Sequence, residues 1–203
     1  MCYNAEISLN TFIFGMVCAI IIWKMNMVSK INILLLISIT LMQLMEYFTW
    51  KNINNEKNIY DLSIIGLIII FIQISLIIYS INNNIFLRII LYILLIFFVI
   101  LYLLTDFTEK KLRMYKGENG HLVWEWLDIP LIWIIIGISF YIIPLYIANG
   151  ILNIKFILTI ILLSSSLYYY YKYKTWATLW CYFSNINWIL LLIYSIYLYL
   201  NKN

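Results

Sequence analysis

The sequence predicts an all-α polytopic membrane protein, one domain built as a bundle of seven transmembrane helices. Three observations carry that expectation. Of the 203 residues, 65% are hydrophobic and only 11% are charged, against about a quarter charged in a soluble domain. Such a chain has too little polar surface to cover a water-soluble globule. The apolar residues are also gathered into runs close to the roughly 20 residues that a helix needs to cross about 30 Å of hydrocarbon. Finally, a segment in lipid must satisfy its own backbone groups, which a helix does and a lone strand does not.

Seven runs read as spans, at about 7–23, 31–50, 58–80, 85–105, 128–148, 151–172 and 176–200. The first follows Asn4, a residue type that caps helices, and carries Glu6 where an acid complements the helix dipole. No basic residue precedes it and no small-residue cleavage site follows, so it reads as a mature helix rather than a signal peptide. The second ends with Gln43, Glu46 and Trp50 at i, i+3 and i+7, on one helical face. The third holds Gln73 and Ser75, and the fourth is nearly bare of polar groups.

One long polar connection, 106–127, separates the fourth span from the fifth. In it Asn119-Gly120 is a turn signal. His121 then reads as opening a helix that runs into the fifth span, with a short interfacial helix inside the connection. On that helix His121, Trp124 and Asp128 fall at i, i+3 and i+7, and Glu125 at i+4. Ala148-Asn149-Gly150 is the stop between spans five and six. The aromatic run Tyr168 to Tyr171, Tyr173 and Trp176 reads as an interfacial belt. The seventh span begins at Trp176, carries Trp180 in its second turn, and places Cys181, Asn185 and Trp188 on one face.

Seven spans put the two termini on opposite sides. Lys51, Lys57, Lys110, Lys111, Arg113, Lys116, Lys172 and Lys174 fall on the N-terminal side, eight in all. Five fall on the other side: Lys24, Lys30, Arg88, Lys155 and Lys202. The excess places the N-terminus in the cytoplasm by the positive-inside rule. The net charge of +4 is scattered over the connections. It suits topology and contact with membrane lipids rather than nucleic acid.

Several chemistries are excluded. One histidine and no CxxC cannot complete a Cys/His zinc set, and no metal or cofactor is expected. A single histidine also fails bis-histidine haem and the three-histidine zinc site of ceramidase-like hydrolases. Residues 176–200 contain no lysine for a retinal Schiff base. The internal repeat of sugar-transporter-like seven-span proteins is not found.

The scarce polar groups collect towards the N-terminal side. The expectation is one shallow pocket built from Glu6, Gln43, Glu46, His121, Cys181 and Asn185 and rimmed by Trp50, Trp124 and Trp180. Each member has a plainer alternative. Glu46 and Asn185 can make helix-packing hydrogen bonds, Glu6 can act on the dipole alone, and His121 can make a local interfacial bond. If Met1 is removed, Cys2 presents a thiol beside a free amine, a candidate nucleophile. Acylation or a quiet structural thiol are the alternatives. A Cys2–Cys181 disulfide would place this side in an oxidising compartment.

The strings MCYNAEISL, LMQLMEYFTW, GHLVWEW and TLWCYFSN, taken in order, resemble an uncharacterised family of small multi-span membrane proteins. Its members come from bacteria and large DNA viruses. They begin Met-Cys-aromatic-Ser/Asn-Ala and carry Gln-x-x-Glu-x-x-x-Trp on the second span. A Gly-His pair precedes a later span, and Leu-Trp-Cys opens the last. The resemblance implies that Cys2, Gln43, Glu46, Trp50, His121, Trp180 and Cys181 are motif positions. It implies no mechanism.

Three functional classes follow. The first is a protein that binds or moves a small polar molecule or lipid head group in the pocket. The second is a membrane enzyme acting on a lipid-borne group, with Glu46 or His121 as acid–base and Cys2 or Cys181 as the candidate nucleophile. The third is a structural membrane component with no ligand. Oligomeric state is left open.

Overall fold

A computed structural model describes residues 4–81, 84–105, 112–149 and 154–201. Among these, the α-helices are α1 (Ala5–Met25), α2 (Lys30–Lys51), α3 (Glu56–Tyr79), α4 (Ile85–Thr105), α5 (Leu131–Asn149), α6 (Ile154–Tyr170) and α7 (Trp176–Leu200). The first five are long and apolar enough to cross a membrane, and the Asn185–Leu200 part of α7 is a shorter apolar stretch. Large apolar side chains face outwards on every helix, among them Ile20, Ile68, Ile93, Ile132, Ile161 and Ile193.

Local chemistry sets the helix ends. Asn4 Oδ1 accepts from the Ile7 N–H at 2.9 Å and starts α1. Asn26, at φ 52°, ends it with its N–H turned back to the Ile22 and Trp23 carbonyls. This is the left-handed stop that Asn tolerates better than most residues. Ser29 and Asn55 cap α2 and α3 in the same way as Asn4 caps α1.

α1 packs on α2, α2 on α3, α3 on α4, α5 on α6 and α6 on α7, and α7 returns to lie against α1 and α2 as well. α3 touches both α4 and α5. The last helix therefore closes onto the first two.

The connection before α5 departs from the expected helix. Residues Met114–Lys116 form strand β1 and Leu122–Trp124 form strand β2, antiparallel, with Tyr115 opposite Val123. A single 3-10 turn, Glu125–Leu127, follows. The helical spacing of His121, Trp124, Glu125 and Asp128 thus does not exist. Two local causes explain it. The loop between the strands is closed by Gly117 N–H donating to the His121 carbonyl at 2.7 Å, with Gly120 at φ 80°. That backbone conformation belongs to glycine and commits the chain to a hairpin. At the other end Pro130 disfavours the helical conformation at Ile129. α5 can begin only after it, at Leu131 rather than 128. Trp133 and Ile134 N–H groups donate to the Pro130 carbonyl at 2.9 and 3.3 Å.

The sixth expected span also divides. α6 stops at Tyr170, and a 3-10 turn, Tyr171–Tyr173, leads to Lys174 at φ 59°. The Ser166 hydroxyl donates to the Trp176 carbonyl at 2.5 Å, tying the end of α6 to the start of α7.

Candidate functional site

Close packing of α1, α2 and α7 positions the polar residues of α2. Where the three meet, the Trp188 indole N–H donates to Thr40 Oγ1 at 2.6 Å, and the Thr40 hydroxyl donates to the Leu36 carbonyl at 2.8 Å. Gly15 of α1 lies against this pair. A Cβ at position 15 would stand 2.7 to 2.9 Å from Thr40 Cγ2, Thr40 Oγ1 and Trp188 Nε1. A small residue here lets the backbones approach. Above this level the Thr11 hydroxyl donates to Gln43 Oε1 at 3.1 Å.

The hairpin seats on the ends of α2 and α7. The Thr178 hydroxyl donates to the Leu122 carbonyl at 2.8 Å, and Asn119 Nδ2 donates to Thr175 Oγ1 at 2.8 Å. On α2, Thr49 Oγ1 lies 3.7 Å from Met114 Sδ of β1. Helical rise of about 1.5 Å per residue puts Glu46 roughly 4.5 Å below Thr49 and Gln43 roughly 9 Å below it. Gln43, Glu46 and His121 are all buried. The His121 ring meets Tyr170 edge-to-face at 5.9 Å. Burial holds the His121 imidazole below its ordinary pKa and so favours the neutral ring.

The expected pocket residues divide by position. Gln43, Glu46, Trp124 and His121 are buried, Trp50 and Asn185 are half-buried, and Glu6 is exposed. Cys2 and the side chains of Trp180 and Cys181 lie outside the described residues. The Trp50 and Trp124 indole N–H groups and the Asn185 amide have no hydrogen-bond partner among the described residues. Asp128 pairs with Lys174 at 2.5 Å, and this bond raises the pKa of the Lys174 ammonium.

Sequence reasoning missed a partly open apolar cavity of about 420 Å³. This volume lies within the roughly 300–1,000 Å³ typical of small-ligand sites. Its walls come from α3, α4 and α5, with contributions from α2, α6 and α7, and its roof is Trp124, Trp126, Leu127 and Ile129. The two indoles stack, with centroids 5.3 Å apart and planes at 13°. Trp126 is fully buried, and Met45 and the Trp126 ring both close on Gly66 of α3 at contact distance. The Tyr102 hydroxyl donates to the Trp126 carbonyl and fastens the roof to α4. The floor is polar at one point: the Tyr141 hydroxyl donates to Gln73 Oε1, and Gln73 Nε2 donates to the Ser38 carbonyl at 3.2 Å. Consecutive α2 residues thus serve different surroundings, Met42 lining the cavity and Gln43 bonded to α1.

Beside the roof lies a smaller recess of about 160 Å³, lined by Asp128, Tyr171, Lys172 and Lys174. It shares Leu127, Ile129 and Trp176 with the apolar cavity. Among the described residues no group of three or more His, Cys, Asp or Glu side chains is placed to hold a metal ion. The sequence signal for these features was weak, because their walls come from distant segments.

No protein-family model, curated protein or solved structure matches this chain.

Proposed function

We propose that the chain is an integral membrane protein of seven spans, N-terminus in the cytoplasm, that binds a lipid within the bundle. The observation that carries this reading is the apolar cavity of about 420 Å³ under the tryptophan roof. Five helices of spanning length and outward-facing Ile and Phe side chains support the membrane setting. Buried indole N–H donors at Trp124 and Trp126, without partners among the described residues, would be satisfied by an acceptor on a ligand. The chain's place in the uncharacterised family of small multi-span proteins is part of the same proposal, resting on its ordered motifs.

Native mass spectrometry of the detergent-solubilised chain tests the reading. Wild type should carry a co-purified lipid that Gly137→Phe loses. Gly137 lines the cavity, and a Cβ there would meet the Phe98 ring only at ordinary contact distance, 3.7 Å, so the position admits a side chain at the cavity wall. A bare polypeptide in wild type would favour a structural component with no ligand. The second reading is an enzyme acting on a lipid-borne group. It is favoured by a buried acid, Glu46, and a buried histidine, His121, at the same end of the bundle. A bound lipid whose mass changes in wild type but not in Glu46→Gln would select it.

A further inference from the structure

The apolar cavity and the charged recess are neighbours, and their shapes are complementary to two parts of one molecule. The lining runs from Ile64 to Ile74 on α3 and from Trp133 to Tyr141 on α5. At about 1.5 Å per residue these are roughly 15 and 12 Å. Half of a hydrocarbon core of roughly 30 Å is about 15 Å, the depth of one leaflet. The cavity is therefore long enough for one acyl chain held within a single leaflet. Its lining carries no charged side chain.

The recess supplies what such a chain would need at its end. Leu127, Ile129 and Trp176 form the shared wall, apolar towards the cavity and bounded by Asp128, Lys172 and Lys174 beyond it. Asp128 is engaged by Lys174 at 2.5 Å. Lys172 is exposed and has no carboxylate partner among the described residues. Asp128 and the nearby Glu125 both act on Lys174, so Lys172 is the cation of the recess left to draw an anionic head group.

Resting on the lipid-binding reading above, we propose that the ligand is a single-chain amphiphile with an anionic head. Its chain lies under the Trp124–Trp126 roof, and its carboxylate or phosphate meets Lys172 and the Lys174–Asp128 pair. An uncharged amphiphile of equal length fills the same cavity and gains nothing from the recess.

The test uses the delipidated full chain in detergent, titrated with palmitate or with hexadecanol and read by native mass spectrometry. Wild type binds palmitate about tenfold more tightly than hexadecanol. Lys172→Glu abolishes that preference while hexadecanol still binds. Gly137→Phe, with an unchanged circular dichroism spectrum, binds neither. Equal binding of both probes by wild type overturns the head-group site and leaves the lipid cavity standing. A palmitate preference that survives in Lys172→Glu overturns the assignment to this recess. Binding of neither probe by wild type overturns both this proposal and the reading beneath it.

Discussion

Gly15 provides the sharpest test of the helix packing. A methyl group at this position would sit 2.7 Å from Thr40 Cγ2, 2.8 Å from Thr40 Oγ1 and 2.9 Å from Trp188 Nε1. None of the three can swing away cheaply. Thr40 is held by its bond to the Leu36 carbonyl, and Trp188 by its bond to Thr40 and full burial. Overpacking of this kind costs about 1–3 kcal/mol. Losing the Trp188–Thr40 hydrogen bond adds about 0.5–1.5 kcal/mol. Alanine returns about 1 kcal/mol of helix propensity. The net destabilisation of Gly15→Ala is therefore about 2 kcal/mol. Equilibrium unfolding in mixed micelles, followed by tryptophan fluorescence, measures it. Thr40→Ala removes two of the three obstructing atoms, so Gly15→Ala in that background should be close to neutral. The coupling in the double-mutant cycle should then exceed about 1 kcal/mol. Coupling below about 0.3 kcal/mol would refute the close approach of α1 to α2 and α7.

Two further outcomes follow from the hairpin. His121 is held below its ordinary pKa by burial. The unfolded chain then binds a proton that the folded chain resists, so this stability is complete above about pH 6.5 and falls as pH drops below it. Wild type should lose thermal stability between neutral pH and pH 5 more steeply than His121→Gln, and parallel profiles would remove His121 as the cause. Thr178→Val deletes the hydroxyl that donates to the Leu122 carbonyl, at about 1 kcal/mol. Hydrogen exchange at Leu122, Val123 and Trp124 should quicken several-fold while α2 is unchanged; unaltered exchange would show that the hairpin is held elsewhere.

Helix positions were legible because each apolar run carries its own signal and Asn4 marks the first start, while the caps Ser29 and Asn55 are seen only in the structure. The hairpin was not. Its strands have three residues each, too short for an alternating pattern to outweigh a chance helical spacing. Gly117, Gly120 and Pro130 held the contrary signal. Trp188 was placed on a polar face of the last helix, but its partner Thr40 is 148 positions away. The cavity was invisible for the same reason: Ile64, Phe98, Trp126 and Trp133 have no common local pattern, and only tertiary packing brings them to one wall.

The closure of α7 onto α1 and α2 has a consequence for the order of assembly. A ribosome delivers helices in sequence, and neighbours such as α1 and α2 can pair as soon as both emerge. Thr40, however, meets Trp188 only after the last helix arrives, and Leu122 waits for Thr178 in the same way. Until then the polar side chains of α2 and the unsupported hairpin must be sheltered by water, lipid or a helper protein. The seventh helix acts as a latch. The intermediate most open to misassembly or degradation is the six-helix chain just before the latch engages.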